Sequence, residues 1–157
     1  MSLPPANMMA GFPEPEENGP GTLSTALRAL ASVDSETTAW RAYDALLYAV
    51  GNNHAGTYYP IVLIMMPGLG ELLRRGLSWT QFAIVQALTD LVFSFEPAPG
   101  FEAFHAANGN TARPLRDQLM AEAVALLPTI EDIAARAGPA AIPARELAEG
   151  LRNRKAR

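Results

Sequence analysis

Apolar residues recur three and four positions apart over most of this chain, the period of helices with one buried face. Leu23, Leu27 and Leu30 mark a first helix from 22 or 24 to about 32. Trp40, Tyr43, Leu46, Leu47 and Val50 mark a second, from 34 or 35 to 50, with Gly51-Asn52 as a left-handed stop. The third begins after Thr57, tolerates Pro60 in its first turn and buries Leu63, Met66, Leu69, Leu72 and Leu73. Pro67 should kink it, because proline removes a backbone donor and crowds the preceding turn. Arg74 and Arg75 complement the helix dipole just before Gly76. Ser78-Trp79-Thr80-Gln81 matches a capping box, with Leu77 placed as a staple against Phe82. Phe82, Val85, Leu88, Leu91, Val92 and Phe95 continue the fourth helix, and its short connection to the third predicts an antiparallel hairpin. A fifth helix spans about 111 to 137, with Pro114 in its first turn, Pro128 interrupting it, and Leu115, Leu119, Leu126, Leu127, Ile130 and Ile133 facing inward. Gly138-Pro139 ends it, and a short sixth follows Pro143 with Leu147 and Leu151 inward.

The remaining segments resist regular structure. Residues 1–20 hold Pro4, Pro5, Pro13, Pro15 and Pro20 and read as a flexible arm, although Met8, Met9 and Phe12 offer apolar groups to lay across a helical surface. The loop 96–110 carries Phe101, Phe104 and His105 among prolines and glycines. The expected organisation is therefore an arm (1–20), a helical domain (21–151) and a basic tail (152–157). Pro67 and Pro128 each precede apolar pairs, an acidic residue, arginine and a glycine, a weak internal echo of the kind found in stacked helical repeats. The fold expected is all-α with about six helices, either a short helical repeat or an irregular bundle.

Composition narrows the function more than the fold. A hydrophobic fraction of 49% over 157 residues supplies one ordinary core. Cysteine is absent, which excludes disulfides, thiolate nucleophiles and cysteine-based metal sites. No basic n-region followed by an apolar stretch opens the chain, and the most apolar run, 58–69, is too short for a bilayer span. A cytoplasmic location without membrane contact is expected. Net charge is −4, but outside the tail residues Arg152, Arg154, Lys155 and Arg157 there are eight basic against sixteen acidic residues. Such a body steers basic partners inward and disfavours nucleic acid.

No catalytic constellation emerges. His54 and His105 both fall in expected loops, and if they met they could take a metal with Asp44 or Glu102, yet neither HExxH nor His-x-His spacing is present. Glu16-Glu17 and Glu131-Asp132 are adjacent pairs that diverge around a helix. GxGxxG and a Walker lysine are missing, and no serine lies in a G-x-S-x-G elbow. No catalytic residue, metal or cofactor is assigned.

What stands out instead is the loop Asn52-Asn53-His54-Ala55-Gly56-Thr57-Tyr58-Tyr59-Pro60. Its side chains offer contact area and hydrogen bonds at modest entropic cost, as binding loops do. His54, Tyr58 and Tyr59, with Trp79, Phe101 and His105, form the expected partner-binding set.

The block from Tyr43-Asp44-Ala45 through that loop to Pro60, continuing in Pro67-Gly68-Leu69-Gly70-Glu71-Leu72-Leu73 and the capped helix 78–95, resembles small bacterial HEAT-like helical proteins. Such proteins are often encoded beside secreted antibacterial toxins, and some resemble their immunity partners. The resemblance covers about the middle third of the chain. It implies a HEAT-like helical scaffold and a cognate toxin as protein partner; the acidic body suits a basic toxin, with a nuclease the expected kind because nucleases handle phosphate backbones. HEAT-like adaptors without a toxin, and enzymes on HEAT-like scaffolds, are the other readings it leaves open. The N-terminal arm and the 96–110 loop depart from the pattern.

Overall fold

The computed structural model describes residues 11–104 and 113–155. Among them seven α-helices follow one another: α1 (Thr22–Ala31), α2 (Glu36–Val50), α3 (Val62–Arg74), α4 (Ser78–Thr89), α5 (Leu115–Ala125), α6 (Leu127–Ala134) and α7 (Ala141–Lys155). A π-helical turn, Asp90–Ser94, continues α4. Two-residue strands fill the gaps: β1 (Gly51–Asn52) pairs antiparallel with β2 (Thr57–Tyr58), which pairs parallel with β3 (Glu96–Pro97). A second ribbon joins β4 (Ala103–Phe104) to β5 (Arg113–Pro114). The protein is the expected all-α bundle, with one more helix than the apolar pattern predicts.

The extra helix arises at Pro128. Proline fits the first turn of a helix but not its interior. The expected single helix therefore divides at Leu126, and α6 begins anew with Pro128 in its first turn. Pro67, by contrast, sits inside α3. The two prolines of the sequence echo thus occupy different structural positions.

Helix α4 lies at the centre, packed on α1, α2, α3 and α7. Its buried residues include Thr80, Gln81, Ala83, Ile84, Val85, Ala87 and Leu88, so it is enclosed on nearly every side, as an all-round apolar helix must be. The expected capping box at Ser78 does not form. Leu77 precedes the first turn with no side-chain cap and is 49% exposed, so it is no staple either. Gln81 and Thr80 serve neighbouring helices instead: Gln81 Nε2 donates to the Leu73 carbonyl at 2.8 Å, and Thr80 Oγ1 to the Leu30 carbonyl at 2.8 Å. Both acceptors belong to last-turn residues, which have no intrahelical donor. The capping box that does form lies at α2, where Ser35 Oγ accepts the Thr38 amide at 3.4 Å and Thr38 Oγ1 accepts the Ser35 amide at 3.0 Å.

From residue 11 on, the arm lies on the body rather than free of it. Phe12 packs on Phe104 with ring centroids 5.2 Å apart, Pro15 is buried, and the Pro13 carbonyl accepts the Ile61 amide at 3.0 Å. Asn18 Nδ2 donates to the Ala49 carbonyl at 2.8 Å, satisfying the end of α2. The tail is helical through Lys155, and Arg152 Nε meets Glu131 at 2.7 Å. Residues 1–10, with Met8 and Met9, and 105–112, with His105, lie outside the described residues.

Candidate interaction surface

Helix α2 buries its alanine-rich side, Ala39, Ala42, Leu46, Leu47, Ala49 and Val50. Small residues let it approach α1 and α4 closely and turn its bulky rings outward. Trp40 is 40% exposed and Tyr48 42%, with exposed Asp44 between them on the same stripe. Trp40 and Tyr43 share the apolar spacing of this helix, yet neither is a core residue.

The rings interlock across two helices. Trp40 meets Tyr43 at 5.3 Å and 84°, and meets Phe82 of α4 at 5.3 Å and 89°. Trp79 meets Phe82 at 5.6 Å and 79°. Edge-to-face packing of this kind adds to simple burial and fixes each ring. Tyr43 is anchored by its hydroxyl, which donates to an Asp90 carboxylate oxygen in the π-turn. Burial, then the Asp90 bond and charge, push the Tyr43 phenol well above its ordinary range, so it stays a donor.

At the other end of α2, Asn53 Nδ2 donates to Asp44 Oδ1 at 3.1 Å. Exposed His54 stands edge-on to Tyr48 at 5.7 Å. The loop presenting it is held on both sides. Asn52 Oδ1 accepts the Ala55 amide at 3.0 Å, the Tyr59 amide donates to the Val50 carbonyl at 2.8 Å, and the Glu96 amide donates to the Gly56 carbonyl at 2.9 Å. Gly51 is extended at φ −170° and is not the left-handed stop expected; its small size matters because the Thr57 carbonyl lies against it. Gly56, at φ 63°, is the left-handed residue of the loop.

The expected binding residues therefore divide. His54 and Trp79 belong to the outer aromatic surface around α2. Tyr59 and half-buried Phe101 meet each other at 5.2 Å and pack on the core, joining the loop after β3 to the body. Tyr58 is a correction: it is fully buried and its ring is not available at the surface. Neighbours on a strand point to opposite sides, so β2 turns Tyr58 in where half-buried Thr57 faces away, and Tyr59 follows the strand with its ring partly buried against Phe101. Burial raises the Tyr58 phenol strongly; nearby Arg116 opposes that shift, and Glu96 and Asp117 add to it.

The sequence reading missed Trp40, Tyr43, Asp44, Tyr48 and Phe82. A signal was present, because an alanine face on α2 marks the close-packed side and Trp40, Asp44 and Tyr48 lie together opposite it. Chemically, the surface offers rigid aromatic area beside two carboxylates, Asp44 and Asp90, a combination suited to a cationic protein partner. Among the described residues, no three His, Cys, Asp or Glu side chains form a group that could hold a metal ion, and no helix is long and apolar enough to cross a membrane. Comparison with protein-family models, curated proteins and solved structures finds no match to this chain.

Proposed function

We propose that this chain is a non-enzymatic, cytoplasmic immunity protein that binds a basic antibacterial toxin, with a nuclease the best fit, and blocks its active cleft. The observation that carries the reading is the aromatic surface of α2 and α4. Trp40, Tyr43, Phe82 and Trp79 are mutually braced, Trp40 is 40% exposed, and Asp44 and Asp90 lie alongside. Exposed tryptophan and tyrosine on a rigid base are what binding hot spots use, because little side-chain entropy is lost on docking. The excess of sixteen acidic over eight basic residues outside the C-terminal tail favours a cationic partner and disfavours a phosphate backbone. The resemblance of the 43–60 block to toxin-immunity proteins directs the choice of partner. His54 and Trp79 contribute at the two ends of this surface; Tyr59 and Phe101 support its flank.

Co-expression with the product of the neighbouring gene tests the proposal. Cells making the neighbour alone should die, and cells making both should survive. A neighbour that is harmless alone but forms a stable complex would make the chain an adaptor instead. The association rate of the purified pair should fall as salt rises, because charge steering is screened over about 10 Å at ordinary ionic strength. A salt-independent rate would remove the electrostatic part of the proposal.

A further inference from the structure

Trp40, Asp44 and Tyr48 stand at successive turns of α2, each about 6 Å from the next along the axis. One exposed carboxylate is thus bracketed by two partly exposed aromatic rings, at 40% and 42%. Both rings are held by others: Trp40 by Tyr43 and Phe82, Tyr48 by His54. The carboxylate is oriented too, because Asn53 occupies Oδ1 and leaves Oδ2 for another donor. Arg41 does not compete for it. Although it is the helix-surface neighbour three residues before Asp44, it makes no ion pair with it among the described residues, and it lines the groove against α1 with Ala29 and Ser32.

Resting on the protein-binding reading above, we propose that this stripe receives a single arginine side chain of the partner. The guanidinium pairs with Asp44 in the space between the rings of Trp40 and Tyr48, which are about 12 Å apart along the axis. Arginine fits better than lysine, because its planar, weakly hydrated head can stack on an aromatic face while an N–H group bonds the carboxylate oxygen that Asn53 leaves open. A phosphate-bearing ligand would meet Asp44 and Asp90 at the same surface and be repelled.

Nuclear magnetic resonance titration of the full chain with Nα-acetyl-arginine amide, and separately with Nα-acetyl-lysine amide, tests the site. The arginine probe should move the Trp40 indole and Asn53 side-chain amide signals further than the lysine probe. Asp44→Asn should abolish that difference while leaving the fold intact, since Asp44 is exposed. Unmoved Trp40 and Asn53 signals, or equal binding by Asp44→Asn, would overturn the proposal. With the partner in hand, Trp40→Ala and Asp44→Asn should each weaken binding by about tenfold or more. Trp40→Ala also removes packing from Tyr43 and Phe82, so Tyr48→Ala, at an exposed position, provides the independent second variant. If the chain protects cells and all three variants protect and bind equally well, the immunity reading stands and the arginine receptor falls. If the arginine probe docks on the stripe while the wild type protects no cell, the receptor stands and the immunity reading falls.

Discussion

Tyr58 shows how far a single side chain can depart from its sequence context. Beside His54 and Tyr59 it looks like a contact residue, yet it is fully buried and its hydroxyl has no hydrogen-bond partner among the described residues. A buried hydroxyl without a partner carries its desolvation cost uncompensated. Tyr58→Phe keeps the ring and removes that oxygen, so stability should be unchanged or rise by about 1 kcal/mol. The urea midpoint reads it directly; a clear loss would mean that a buried water or an unseen partner satisfies the hydroxyl. The inward turn of Tyr58 was not legible, because a two-residue strand is too short to show a period of two. The same limit hid Trp40. Apolar spacing identifies a helix but counts a tryptophan as core, and only the alanines of α2 reveal which side is packed.

At the level of elements, the periodic signal was strong wherever the helix had one buried face. The spans of α1 and α2 follow the apolar pattern closely, because each shows leucines on one side and polar residues on the other. Capping chemistry was less readable: Ser78-Trp79-Thr80-Gln81 has the right letters, but enclosure of α4 recruits Thr80 and Gln81 to the carbonyls of α1 and α3. The short strands depend on backbone approach, which leaves a trace in glycine. At Gly51 an added Cβ would overlap the Thr57 carbonyl oxygen, and a backbone atom in a paired strand cannot move aside. Gly51→Ala should therefore cost about 3 kcal/mol. At Gly150 in α7 an added Cβ would fall 2.5 Å from Phe93 Cζ, the far end of a half-buried ring that can shift. There the strain is set against the gain of about 1 kcal/mol that alanine brings over glycine inside a helix. Thermal unfolding should place Gly51→Ala well below the wild type and Gly150→Ala close to it. The reverse order would mean that the β1–β2 pairing contributes little to the fold.

For the whole molecule, charge and burial together predict an unusual alkaline response. The chain has one lysine, no cysteine and four tyrosines, and its arginines stay charged throughout, so phenols dominate its titration above neutrality. Tyr43 and Tyr58 are both raised in the folded state, each chiefly by burial and Tyr43 also by its bond to Asp90. In the unfolded chain the same phenols lose their protons near the ordinary value of about 10. Past that point the folded protein holds protons that the unfolded chain has released, and stability must fall as pH rises. Their contribution is fully present below about pH 10 and disappears above it. Urea unfolding measured at increasing alkalinity should show this decline, and Tyr43→Phe and Tyr58→Phe should each make it shallower. The two variants separate surface from core. Tyr43 braces Trp40 and keeps its proton while the protein is folded, so the surroundings of Trp40 should hold until global unfolding, and tryptophan fluorescence should change together with the unfolding transition in the wild type. A fluorescence change that came well before unfolding, persisted in Tyr58→Phe and vanished in Tyr43→Phe would mean that Tyr43 loses its proton in the folded protein. Stability that stays level through this range would mean that both phenols are reached by water, and the packing that fixes the α2 surface would have to be redrawn.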